Sequence, residues 1–185
     1  MKVMNISKAL TFFCIFIVFS TSSQSKNYVL GEARAKIVND KLNIEPKSEL
    51  NFGKIDSVQG SGSVVISADC KRSTLGQITT SDIDAYDCAS FAINGIQGQN
   101  YNIILPSTLS FSRKEGNIAG KLNNLTVNNF SGRSRNAGYL GQGIKPSSQL
   151  DNKGSDDVYI GGSLIVPANA APGTYIGEVP VTVSY

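Results

Sequence analysis

The residues of this chain best suited to chemistry are two cysteines and the acidic stretch between them. Cys70 and Cys88 bound "CKRSTLGQITTSDIDAYDC", while a third cysteine, Cys14, sits in an apolar run near the N-terminus. Two thiols in an exported chain favour a disulfide. A structural zinc site takes four ligands, and this chain has no histidine to complete a set. Closing a loop of roughly 19 residues stabilises a fold by about 3 kcal/mol in the chain-entropy treatment. Asp82, Asp84 and Asp87 crowd the end of that loop, and clustered carboxylates are calcium ligands in other proteins. An EF-hand loop starting at Asp82 needs glycine at its sixth position and glutamate at its twelfth. Asp87 and Ile93 stand there instead. The stretch therefore reads as a solvated acidic loop, and no metal or other cofactor is expected.

Catalytic arrangements are scarce. Without histidine there is no Ser–His or Cys–His pair. Serines and lysines are plentiful, but no spacing singles out a Ser–Lys pair. No enzyme is expected. Tyr86, Tyr101, Tyr139, Tyr159 and Tyr175 offer stacking surfaces for a glycan or protein ligand, or else fill half-buried positions.

The elements that would position these residues begin after a leader. "MKVMNISKALTFFCIFIVFSTSSQS" carries Lys2 and Lys8, an apolar run over residues 9–19, and the small residues Ser23 and Ser25 before Lys26. That is the pattern of a cleaved secretory signal over residues 1–25. The run is shorter than the roughly 20 residues that span a bilayer. A single domain over 26–185, with no membrane span after processing, is expected in the periplasm, on the outer surface or outside the cell. Losing Lys2 and Lys8 takes the formal charge from +3 to +1. No basic stripe marks a nucleic-acid or membrane-surface partner.

Beyond residue 26 the chain alternates in short runs between turn residues, as in antiparallel sheets. "VLGEARAKIV" (29–38) puts Val29, Gly31, Ala33, Ala35 and Ile37 on one face. Further strands are expected at 50–55, 60–70, 89–96 and 100–106, and at 121–130, where a break in register implies a bulge. Another is expected at 157–167, interrupted at Gly161–Gly162. Residues 71–87 and 131–155 are polar and read as loops. The closing strand, 174–185, sets Val179, Val181, Val183 and Tyr185 to one side. About seven or eight strands fit an all-β, immunoglobulin-like antiparallel sandwich.

"LNFGKI", "FAINGIQGQNYNIILP", "NNLTVNNF", "VYIGGSLIVP" and "PGTYIGEVPVTVSY" occur in an order that resembles the secreted bacterial family labelled domain of unknown function 4402. The resemblance runs from about Ala33 to Tyr185. The last motif is also similar to spore coat protein U-type and chaperone–usher pilin-type subunits. That similarity implies a terminal assembly strand carrying Gly173, Tyr175, Val179, Val181, Val183 and Tyr185, and a periplasmic chaperone as partner. The expected function is an exported, non-enzymatic surface, coat or fimbria-like subunit. It would pair with itself or other subunits by strand addition, with 29–37 a candidate donor or simply a first strand. The alternative is a periplasmic or extracellular module binding glycan or protein.

Overall fold

The computed structural model describes residues 41–185 apart from 82 and 143–145, and gives no side-chain environment for 57–59. The leader, the 29–38 segment and Asp82 lie outside the described residues. Twelve strands follow in order: β1 (Asn43–Ser48), β2 (Ile55–Ile66), β3 (Arg72–Thr80), β4 (Ala89–Asn94), β5 (Asn100–Ile104), β6 (Thr108–Arg113), β7 (Asn124–Ser134), β8 (Gly138–Gln142), β9 (Ser147–Gln149), β10 (Ser155–Val166), β11 (Tyr175–Ile176) and β12 (Thr182–Ser184). No helix occurs among the described residues. The strand ladders are all antiparallel.

Two sheets form a β-sandwich. The larger runs β1-β4-β10-β7-β6-β11, with β2 also on β10, β3 on β2 and β8 on β7; the smaller is β12-β5-β9. The long strand β10 is the spine. Its first half pairs with β4 and its second half with β2 along the same side, while β7 lines the other side. Period-two geometry explains its burial. Val158, Ile160, Leu164 and Val166 all point into the core. From the small sheet, Tyr101 and Ile103 of β5 meet them. Phe52 and Phe111 close one flank edge to face, with ring centroids 6.2 Å apart. Each fully buried aliphatic side chain contributes about 1.5–3 kcal/mol.

The bulge expected near Phe130 and the glycine interruption of β10 are one feature. Gly161 pairs with Ser131 and Ser163 with Asn128, so Asn129 and Phe130 together face Gly162. Asn129 takes a φ of +50°, a conformation asparagine tolerates better than most residues. It turns outward, not inward with Leu125 and Val127, and the extra residue brings Phe130 back into the core. Strand β10 itself stays continuous. A Cβ on Gly161 would come within 2.2 Å of the Ile66 carbonyl oxygen, so the chain needs glycine where β2 crowds the spine.

Three expectations are corrected. Residues 71–87 are not simply a loop: β3 occupies most of them and pairs along β2. It is an edge strand in which only Ile78 is buried, so polar residues suit both faces. Residues 131–155 hold the end of β7, β8 and β9, and bury Ser131, Ser134, Ser148 and Leu150. The 50–55 run keeps only an isolated bridge, Asn51 with Asp87, before β2 begins. The added strands β1, β3, β6, β8 and β9 raise the strand number above the seven or eight expected.

Candidate functional site

The most concentrated chemistry is a buried carboxylate that sequence reasoning missed. Asp156 occupies an inward position of β10, one pleat before Val158, and is fully buried. Its Oδ2 accepts from Tyr101 at 2.8 Å and from Ser134 at 2.6 Å. Ser148 Oγ lies 2.8 Å from Oδ2 and 2.7 Å from Ser134 Oγ, so its one proton is shared. Oδ1 accepts the Asn136 N–H at 3.2 Å. Ser134 Oγ also accepts from the Asn136 and Ala137 N–H groups at 3.0 Å, closing the turn after β7. Hydroxyls and one amide surround this carboxyl group, and no cation pairs with it among the described residues. Burial, and then the adjacent Asp156 carboxylate, hold the Tyr101 phenol far above its ordinary range. The neighbouring Asp157 points the opposite way, where Lys47 and Arg135 pair with it.

Above this network lies a shallow open depression of about 590 Å³. Gln99, Asn100, Asn102, Ser147, Gln149 and Tyr185 line it, with the buried Tyr101 and Ser148 beneath. The register places Asn100 opposite Gln149, and Asn102 between Ser147 and Ser184. Tyr185 keeps 46% of its surface exposed, yet its hydroxyl accepts the Ile96 N–H at 2.7 Å. The ring is therefore exposed but held.

The sequence-picked residues fall into three places. Cys70 and Cys88 form a disulfide. It ties the β2–β3 turn to the start of β4. Asp87 lies beside it, and the Cys70, Asp87 and Cys88 ligand atoms fall within 4.8 Å of one another. The sulfurs are bonded to each other, so neither offers a thiolate. Asp87 Oδ1 instead accepts the Cys88 N–H at 2.9 Å.

The terminal residues divide between the two sheets, correcting the single closing strand. Gly173, at φ +145°, makes the turn into β11. The Thr174 N–H beside it donates to the Glu115 carboxylate at 3.0 Å. Tyr175 donates to the Ala171 carbonyl at 2.6 Å, and β11 pairs with β6. Residues 177–181 then cross over, and β12 pairs with β5. Val179, Val181 and Val183 pack against the core but are only partly buried.

The tyrosines are equally divided. Tyr101 is core, which removes it as a stacking surface. Tyr86 carries the Arg72 guanidinium 4.3 Å over its ring. Tyr159 and Tyr175 are half-buried, and Tyr139 is open to solvent.

Fold and site together define a disulfide-bonded, all-β sandwich with a buried polar network and no helix among its described residues. The family model described as Domain of unknown function (DUF4402) matches residues 42–185, and the chain belongs to that family. No curated protein and no solved structure matches it.

Proposed function

We propose that the protein is an exported, non-catalytic structural subunit whose free sheet edges pair with neighbouring subunits. One observation carries this reading: β1 and β12 run beside each other at the border of the two sheets without a ladder between them. Among the described residues, β1 pairs only with β4, and β12 only with β5. Half-buried Leu42, Ile44, Val181 and Val183 lie along that border. Leu42 and Tyr185 both crowd Gly95: a Cβ there would lie 3.1 Å from a Leu42 methyl and 2.3 Å from the Tyr185 hydroxyl. Unpaired backbone beside alternating apolar side chains is what an added strand recognises, by main-chain hydrogen bonds and register-setting pockets. A chaperone outside the inner membrane would guard such an edge before assembly.

Export is supported by the disulfide, which belongs to an oxidising compartment, and by the leader pattern. Among the described residues no helix is long and apolar enough to cross a membrane. The absence of histidine from the whole sequence supports a non-catalytic role. Sedimentation of the processed protein over a concentration series tests the proposal. Species heavier than the monomer that grow with concentration are expected, and a monomer throughout overturns it.

A further inference from the structure

We propose that the depression over β5 and β9 binds a neutral saccharide. This inference does not rest on the assembly reading: it uses the outer face of the small sheet and shares Tyr185 with the β1–β12 border. The lining decides the ligand class. Among the described residues no charged side chain lines the depression, which disfavours phosphates, carboxylates and metal ions. No large aliphatic side chain among the described residues lines it either, which disfavours a lipid or an apolar side chain.

Carboxamides and hydroxyls remain, each able to donate and accept, beside one aromatic ring. The side-chain amides of Gln99, Asn100 and Asn102 make no hydrogen bond to the protein among the described residues. Gln149 is already oriented, donating to the Gly98 carbonyl at 2.9 Å. Sugar hydroxyls match mixed donor–acceptor groups, and the C–H face of a pyranose matches a tyrosine ring, which is apolar on its face and polar at its tip.

The frame is preorganised. Asn136 donates to the Gln149 carbonyl at 3.0 Å and to the Ser155 carbonyl at 2.9 Å, fixing β9 to β10. The hydroxyl bond to Ile96 fixes the Tyr185 ring. Holding both walls in place lowers the ordering cost of binding. The cavity volume of about 590 Å³ lies within the range of small-ligand sites.

The test is a nuclear magnetic resonance titration of the full processed protein. The probes are neutral oligosaccharides of glucose, mannose and N-acetylglucosamine, with an oligogalacturonate as the charged control. Saturable shifts at Asn100, Asn102 and the Tyr185 ring with at least one neutral probe are expected. Asn102→Ala should weaken that binding about tenfold, the loss of roughly one good hydrogen bond, while leaving the melting transition in place. Asn100→Ala, on the exposed end of the same strand, is the second variant should the first disturb folding. No shifts at these residues with any neutral probe, or shifts with the oligogalacturonate alone, overturn the proposal. Unchanged affinity in a folded Asn102→Ala or Asn100→Ala protein does so as well.

Discussion

At the scale of single residues, the fold commits itself most heavily at Asp156. Its carboxylate gathers the Tyr101, Ser134 and Ser148 hydroxyls and the Asn136 amide. Asp156→Ala would strand these groups in the interior, and each buried group left unpaired costs about 1–3 kcal/mol. A loss of at least about 3 kcal/mol in urea unfolding is expected from such a set. Tyr101 makes an alkaline prediction. Its phenol is held neutral by burial when folded, whereas an unfolded tyrosine ionises near pH 10. The unfolded chain therefore releases a proton that the native chain keeps, and stability falls as pH rises through about 10, by about 1.4 kcal/mol per pH unit. Tyr101→Phe should flatten that fall in denaturant titrations between pH 9 and 11. An unchanged slope would contradict the assignment. The aspartate was legible in principle: it sits in register with Val158 and Ile160, and a charged residue on the dry face of a strand calls for partners. Ser134 and Ser148 gave no such signal, because serines in a glycine-rich stretch look like loop. The amides over β5 were equally silent, since asparagine alternating with apolar residues marks only a solvated face.

At the scale of elements, what the sequence revealed depended on how dry each strand's surroundings are. Strands β4, β5, β7 and β10 show alternation because their inward rows are apolar. Strands β3, β8 and β9 do not, because they lie at sheet margins where polar residues fit both faces. The bulge was legible because Leu122 and Phe130 broke the period of Leu125 and Val127. Its consequence is a tight fit: a Cβ on Gly162 would lie 3.2 Å from Val127 and 3.3 Å from the Phe130 ring. Gly162→Val should therefore cost about 1–3 kcal/mol by overpacking, measured as a lower denaturation midpoint with unchanged slope. The terminal segment was read as one strand because Val179 to Tyr185 alternate without a break. Pro180 cannot donate to a ladder, and the chain pairs again only from Thr182. Removing residues 179–185 would uncover one whole side of β5 and the inward row of the small sheet. No cooperatively melting protein should survive this deletion, as judged by circular dichroism of the soluble fraction. A sharp melt would refute it.

At the scale of the whole molecule, the covalent bond between Cys70 and Cys88 holds the β2–β3 hairpin against the start of β4. Replacing both cysteines by serine should lower stability by about 2–4 kcal/mol, read from guanidinium unfolding of the oxidised parent and the variant. Most contacts join residues far apart in the chain; β12 pairs with β5 across nearly eighty positions. Such a topology folds slowly. The final stretch of backbone belongs to one layer at Tyr175 and to the other at Thr182. Mechanically, residues 177–181 are a strap across the sandwich. A force that pries the layers apart must unzip a ladder at one end of that strap or the other, so the two layers bear such a load together.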